Sequence, residues 1–134
     1  MPFKFERLDI WQLAVSYIDI AYAIADQLPR EEDFNLKSQL RRAATSIALN
    51  IAEGSTGQTD PEQDRFLGYA LRSLLETVAC LQLIRRRDYL VEMNDLDEAY
   101  KQAETLARKV QALRKSLGPQ SASQIREHHA AYDL

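Results

Sequence analysis

Cysteine, histidine, glycine and proline are all scarce in this sequence of 134 residues. The single cysteine, Cys80, excludes a disulfide framework and suits a reducing compartment. The only two histidines are His128 and His129, so no predicted helix carries the Glu-x-x-His pair that ferritin-like di-iron bundles require. The four glycines and four prolines lie almost entirely where a helix is expected to begin or end. A di-metal bundle site is therefore excluded, and we expect no cofactor.

The sequence also lacks strand-like alternation, an apolar run of membrane-spanning length and the apolar core of a signal peptide. The hydrophobic fraction of 46% and the charged fraction of 28% are ordinary for a globular protein. A net charge of −3 argues against binding nucleic acid or anionic lipid over the whole surface. We expect a cytoplasmic protein with no membrane partner.

Four long segments with apolar residues at helical spacing are present instead. Start and stop signals separate them: Asp60, Pro61 and Gln63 read as the N-cap and first turn of the third helix, and Gly118 ends the fourth. The predicted helices span residues 9–28, 35–53, 60–87 and 95–117. Short connections between helices of this length favour an all-α, antiparallel, up-down-up-down four-helix bundle.

The bundle is predicted to form one domain over residues 1–118. Residues 119–134 are polar and lack periodicity, so we expect them to be a mobile tail.

The apolar arcs of the first and third helices are about 200° wide, which is more than one core-facing side requires. A monomeric bundle would leave part of these arcs uncovered, so the sequence predicts a homo-oligomer. The candidate interface residues are Leu13, Tyr17, Ile20, Ile24, Leu71 and Leu75.

The second helix carries a polar stripe beside its apolar face, although mid-helix asparagine is unfavourable and a glutamate in the last turn opposes the helix dipole. Two residues of the third helix are predicted to face this stripe. The candidate polar residues are Arg42, Ser46, Asn50, Glu53, Ser73 and Glu76. They predict either a buried network that fixes helix register or a polar pocket between the second and third helices, and we favour the network.

The sequence contains no recognisable arrangement of catalytic residues. No serine, cysteine or lysine has a histidine base near it in sequence, and there is no glycine-rich phosphate loop. The paired carboxylates Glu53 and Glu76 alone are a weak signal for acid–base chemistry. We expect no enzymatic activity, and an enzyme that uses the polar pocket ranks third among the possible functions.

Basic residues concentrate late in the chain: residues 101–118 hold five basic and one acidic residue, whereas residues 1–34 hold seven acidic and three basic residues. Such asymmetry predicts either a local nucleic-acid surface or charge complementarity between neighbouring subunits. The candidate nucleic-acid residues are Arg85, Arg86, Arg87, Arg108, Lys109 and Lys115.

The stretch from Gln39 to Gly54, which ends in Asn-Ile-Ala-Glu-Gly, resembles the signature of a known bacterial family. That family comprises the four-helix bundle proteins found in intervening sequences of 23S rRNA genes. Further matches are Trp11-Gln12, Phe66-Leu67 and Ser73-Leu74, and the resemblance extends over residues 5–117.

The resemblance implies an antiparallel four-helix bundle that assembles into a ring-like homopentamer without established enzymatic activity. It extends distantly to the accessory variability determinant of diversity-generating retroelements, a basic pentamer that binds its reverse transcriptase and nucleic acid. This chain differs from that protein in being acidic overall. The sequence thus predicts a non-enzymatic oligomeric accessory or scaffold protein in a nucleic-acid-linked process, or alternatively a structural or protein-interaction module without nucleic-acid binding.

Overall fold

The computed structural model describes residues 3–56 and 59–118, which form four α-helices and no strand. The helices are α1 (Asp9–Asp26), α2 (Leu36–Gly54), α3 (Asp60–Arg87) and α4 (Asn94–Lys115). Short 3-10 turns at Lys4–Arg7 and Arg30–Glu32 precede α1 and α2. The predicted mobile tail, residues 119–134, lies outside the described residues.

The four helices form an antiparallel bundle in which α1 and α3 each lie between α2 and α4. Contacts between helix ends show the antiparallel order. Arg41 in α2 pairs with Asp26 at the end of α1, and Lys109 near the end of α4 pairs with Asp9 at the start of α1. The prediction of an all-α four-helix bundle is confirmed.

The core is built from the apolar stripes that the sequence shows at helical spacing. Its largest fully buried apolar side chains come from all four helices and include Tyr17, Ile24, Leu40, Ile47, Ile51, Leu67, Ile84, Leu96, Leu106 and Val110. Tyr17 brings a hydroxyl into this core, where it contacts Thr77 Oγ1 at 2.7 Å. Thr77 Oγ1 in turn donates to the Leu74 carbonyl oxygen at 2.6 Å, so both hydroxyls are satisfied.

The N-cap of α3 lies one residue earlier than the sequence predicts, although the helix spans the predicted residues, Asp60–Arg87. Thr59 is the N-cap, and its Oγ1 accepts a hydrogen bond from the Glu62 backbone N–H at 3.2 Å. Asp60 is therefore the first helical residue rather than the cap. A threonine three residues before a glutamate is an equally good capping sequence, so the local sequence does not decide between Thr59 and Asp60 as the N-cap.

Gly54 is the last residue of α2 rather than a left-handed residue that follows the helix. A Cβ built there would lie 3.0 Å from Phe66 Cβ and 3.3 Å from the Gln63 carbonyl oxygen. Glycine at this position therefore allows α2 and α3 to approach closely at the turn that connects them.

By length and composition alone, α3 could also cross a membrane, since an 18-residue window within it reaches a mean hydropathy of 1.3. Half of that window is buried inside the bundle. The core helix of a helical bundle has the same properties, so this feature by itself is weak evidence for a membrane span.

Candidate functional site

Three of the predicted polar residues are joined by hydrogen bonds between α2 and α3. Ser73 Oγ donates to Ser46 Oγ at 2.9 Å, and Asn50 Nδ2 donates both to Ser46 Oγ at 3.0 Å and to the Ser46 carbonyl oxygen at 2.9 Å. All three side chains are half-buried. The bonds within α2 explain how an asparagine is accommodated in mid-helix, because its amide is held by the preceding turn.

The predicted closed network of six residues is not what the structure contains. Arg42, Glu53 and Glu76 are exposed side chains, so water solvates them and burial does not force them to find partners. The part of the prediction that places Glu53 and Glu76 in a buried network is therefore wrong.

A surface pocket of about 590 Å³ opens over the serine–asparagine cluster. We call it the α2–α3 pocket, and it is lined by Ser46, Asn50, Tyr69, Arg72, Ser73, Leu75 and Glu76. Hydroxyls, an amide, a phenol and two opposite charges thus converge on one depression. The polar pocket that the sequence left as an alternative is present between these two helices.

Cys80 is buried beside this region and belongs to the core. Burial, with a smaller contribution from the charge of Glu76, raises the pKa of its thiol to about 11. Burial likewise raises the pKa of Tyr17 to about 12. Since the thiolate is the reactive form of cysteine, Cys80 behaves as a packing residue.

The six candidate nucleic-acid residues lie in two separate groups. Arg85, Arg86 and Arg87 end α3, and Arg85 pairs with Asp97 at 2.9 Å. Arg108 lies eleven residues beyond Asp97 along α4, which is roughly 17 Å at helical rise. These residues do not form one continuous basic patch.

Intramolecular ion pairs further reduce the free positive charge. Besides the Arg85–Asp97 pair, Lys109 Nζ lies 2.8 Å from Asp9 Oδ2. The local excess of basic residues on α4 is thus partly neutralised by the acidic start of α1. Arg86, Arg87, Arg108 and Lys115 are exposed cations.

Three of the six candidate interface residues lie in the core of the single chain. Tyr17 and Ile24 are fully buried, and Leu71 is nearly so, which makes them unavailable to a neighbouring subunit. Leu13, Ile20 and Leu75 are half-buried and can contribute to a contact. A wide apolar arc therefore contains both core residues and surface residues, and periodicity does not separate them.

An apolar groove of about 820 Å³ lies between α3 and α4. We call it the α3–α4 groove. Its apolar walls are formed by Leu71, Leu74, Leu75, Val78, Tyr100, Ala103, Ala107 and Ala112, and its charged or polar rim by Glu104, Arg108, Lys109, Gln111 and Lys115. The sequence did not predict it, because the groove is a space between two helices and not a pattern within either of them. The alanines at 103, 107 and 112 could have indicated it, since small residues leave space beside a helix.

The sequence also did not predict two buried polar clusters, one at each end of the bundle. At one end of the bundle, Glu32 accepts hydrogen bonds from Tyr89 Oη at 2.6 Å, from Asn35 Nδ2 at 3.0 Å and from the Leu36 backbone N–H at 3.3 Å. The Tyr89 hydrogen bond is the largest cause that lowers the pKa of Glu32, and the bonds from Leu36 and Asn35 and the charge of Arg87 act in the same direction against burial.

At the opposite end, Arg114 and Asp64 form a fully buried ion pair between α4 and α3. Arg114 Nε donates to Asp64 Oδ1 at 2.6 Å, and Nη2 to Oδ2 at 3.3 Å. The partners are fifty positions apart, so no local pattern could have paired them.

Residues 3–56 and 59–118 contain no group of three or more histidine, cysteine, aspartate or glutamate side chains that could hold a metal ion. The α3–α4 groove and the α2–α3 pocket adjoin each other at Leu75, which lines both of them.

Comparisons with known proteins bear on the family of this chain. No curated protein matches it. The family model described as 23S rRNA-intervening sequence protein matches residues 6–115, which is most of the chain and includes all four helices. The sequence resemblance, which rests on the α2 signature, is confirmed by this match. The chain belongs to the 23S rRNA-intervening sequence protein family.

Proposed function

We propose that this protein is a non-enzymatic homo-oligomeric scaffold whose subunits join through the α3–α4 groove, and that it acts as an accessory in a nucleic-acid-linked process. The groove is the observation that carries the proposal. Buried Leu71, Leu74 and Ala103 form its floor, and the side chains that offer accessible apolar surface along both helices are Leu75, Val78, Tyr100, Ala107 and Ala112. Contiguous accessible apolar surface of this kind is typical of protein contacts.

A second copy of the chain is the occupant that charge favours. The groove rim carries Arg108 and Lys115 with one acidic residue, Glu104. The exposed side of α1 carries Asp19, about 100° around the helix from the half-buried Ile20. Leu13 and Ile20 lie seven residues apart, so they share one face of α1. A groove with a mainly basic rim and an apolar ridge bordered by an acidic side are complementary surfaces.

Groove and ridge are different surfaces of one chain, so their contact is heterologous. Heterologous contacts generate a ring when the rotation between subunits closes. A pentameric ring is the stoichiometry that the family resemblance suggests. The nucleic-acid link rests on the family description and on the exposed cations, which a ring would repeat around its axis.

The substitution Leu75→Glu tests the groove. Leu75 is half-buried and lines the groove, so a neighbour packed there would bury the new charge without a partner. Such burial costs about 3 kcal/mol or more, which corresponds to a roughly 100-fold increase in the concentration at which subunits separate. We expect light scattering to show an oligomer for the wild type and a monomer for this variant at the same micromolar concentration.

Leu83→Glu is the matched control, because Leu83 lies on the same helix, is 53% exposed and does not line the groove. It should keep the oligomer mass, and circular dichroism should show helical folding in both variants. A monomeric wild type, or a Leu75→Glu protein with wild-type mass, would refute assembly through the groove.

A structural or protein-interaction module without nucleic-acid binding is the second candidate function. The pairing of Arg85 with Asp97 and of Lys109 with Asp9 favours it, since both pairs reduce the free positive charge. RNA retention, described in the Discussion, separates the two candidates. An enzyme that uses the α2–α3 pocket ranks third.

A further inference from the structure

The side chains that form the floor of the α2–α3 pocket do not use all of their hydrogen-bond donors and acceptors in bonds to one another. Ser46 Oγ accepts two hydrogen bonds, from Ser73 and from Asn50. A hydroxyl has two acceptor positions and one proton, so Ser46 still offers a donor. Its position at the centre of the cluster fixes where that donor lies.

The Asn50 side chain is held in one orientation. Its Nδ2 donates to the Ser46 carbonyl oxygen, which can only accept, so the nitrogen end of the amide must face that carbonyl. Oδ1 is then the acceptor end of this amide. A fixed asparagine beside a hydroxyl donor provides the alternating acceptor and donor that match the edge of a nucleobase.

Tyr69 adds an aromatic surface to the same pocket. The residue is 38% exposed and lines the depression. Its ring meets Phe66 edge-to-face, with centroids 5.7 Å apart and an interplanar angle of 90°. Phe66 thus supports the tyrosine ring from one side. Exposed aromatic rings beside hydrogen-bonding side chains are the common means of binding unpaired bases.

Arg72 and Glu76 complete the wall of the pocket with one charge of each sign. A guanidinium suits a phosphate group, and a carboxylate can accept from an exocyclic amino group. The volume of about 590 Å³ accommodates a base together with part of its sugar and phosphate.

We propose that the α2–α3 pocket binds an unpaired nucleobase, which stacks on Tyr69 and hydrogen-bonds with Asn50 and Ser46 while its phosphate meets Arg72. The site is distinct from the α3–α4 groove and goes beyond the scaffold role. It also differs from the basic residues on α3 and α4, which would contact only the phosphate backbone.

Binding of a fluorescently labelled, unstructured RNA 10-mer to the full chain tests this proposal. Anisotropy titrations at about 150 mM salt compare the single strand, a blunt duplex of the same sequence and unlabelled nucleoside monophosphates as competitors. We expect the single strand to bind more tightly than the duplex, because paired bases are inaccessible to Tyr69. Tyr69→Leu should weaken single-strand binding by about 10-fold, within the range for loss of one stacked base.

Two variants serve as controls. Tyr69→Phe keeps the aromatic ring and should bind within about twofold of the wild type. Tyr22→Leu removes a tyrosine that is 39% exposed but lies outside the pocket, and it should bind like the wild type. Competition by the monophosphates would identify a free nucleotide as the ligand, and its absence would identify unpaired RNA.

Three results would overturn the proposal: wild-type binding by Tyr69→Leu, equal binding of duplex and single strand, or no binding of any probe. The oligomer mass of each variant is measured in parallel. Leu75 lines both depressions, so Leu75→Glu is judged by oligomer mass alone, whereas Tyr69→Leu is judged by RNA binding. Failure of this site therefore remains distinguishable from failure of the groove.

Discussion

Asn50 and Ser46 form a hydrogen-bonded pair within one turn of α2. Asparagine and serine both have low helix propensity in the interior of a helix. The pair is half-buried rather than sealed. Its bonds therefore contribute the modest free energy of partly solvated hydrogen bonds, not the larger free energy of a closed buried network.

Substitutions in this stripe should affect the free energy of unfolding unequally. We expect Asn50→Ala to lower it by about 1 kcal/mol, because the Ser46 hydroxyl and carbonyl oxygen each lose a donor in a partly desolvated site. Glu53→Ala should change it by less than about 0.5 kcal/mol, since Glu53 is an exposed side chain. Urea titrations of both variants measure the difference, and equal large losses would restore the buried network that the sequence suggested.

The sequence identifies α2 and its polar stripe because helical periodicity shows which residues share a face. It does not show how deep each residue lies. Ser46, Asn50 and Glu53 recur at helical spacing, yet only Ser46 and Asn50 line the pocket that α2 forms with α3. Burial depends on the distance and tilt of the neighbouring helix, which no local pattern contains.

At the scale of whole elements, the start of α2 depends on a side chain outside the helix. Asn35 occupies the N-cap position but makes no side-chain cap, and Glu32 accepts the Leu36 N–H instead. A carboxylate beside a helix N-terminus also interacts favourably with the helix dipole. Tyr89, which follows α3, donates to the other oxygen of Glu32 and so links the two loops at this end of the bundle.

This cluster predicts a specific pH dependence. Because the pKa of Glu32 is lower in the folded chain than its usual 4.5, ionised Glu32 stabilises the fold above pH 4.5, and that stabilisation disappears as the pH falls through the lowered pKa. We expect Glu32→Gln to lower the melting temperature by a few degrees at pH 7, and the gap to the wild type to close on acidification. Thermal melts from pH 7 to 3 measure this gap.

Glu31→Gln is the matched control for this experiment, since Glu31 is the adjacent, exposed glutamate. It should melt within about 1 °C of the wild type at each pH. A gap between Glu32→Gln and the wild type that stays constant down to pH 3 would contradict the assigned role of the Glu32 charge.

The existence and order of the helices follow from the sequence because each is long and strongly periodic. Their ends follow less well, since adjacent residues compete as caps: Thr59 is used although Asp60 offers an equivalent signal. The α3–α4 groove could not be predicted for a different reason. It is a space between two helices, and its shape depends on how far they separate rather than on the pattern of either helix.

For the molecule as a whole, the distribution of charge limits the strength of nucleic-acid binding. The six candidate nucleic-acid residues lie in two groups on α3 and α4, and two of them, Arg85 and Lys109, pair with acidic residues of the same chain. One subunit therefore offers few free contacts to a phosphate backbone. Repetition around an oligomer would multiply these contacts without changing any one of them.

We expect the wild type to be retained weakly on a column of mixed RNA at about 50 mM salt and released by about 200 mM, because few phosphate contacts give a binding that salt readily screens. The double substitution Arg86→Glu with Arg108→Glu should weaken retention at low salt, because it removes phosphate contacts and leaves the α2–α3 pocket intact. Lys4→Glu, an exposed charge reversal outside both basic groups, should leave it unchanged.

Absence of wild-type retention even at low salt would favour the protein-interaction module over the nucleic-acid-linked accessory. Equal retention of the double variant and the wild type would instead show that these two arginines are not the contacts.

The Asp64–Arg114 pair joins the first turns of α3 to the last turn of α4, and both side chains are fully buried. Helix ends ordinarily fray first, so their amide protons exchange with solvent early. Here, fraying of α4 past Arg114 would leave Asp64 charged and buried without its partner, which is costly. We therefore expect the end of α4 and the beginning of α3 to open together, as one cooperative unit in amide hydrogen exchange.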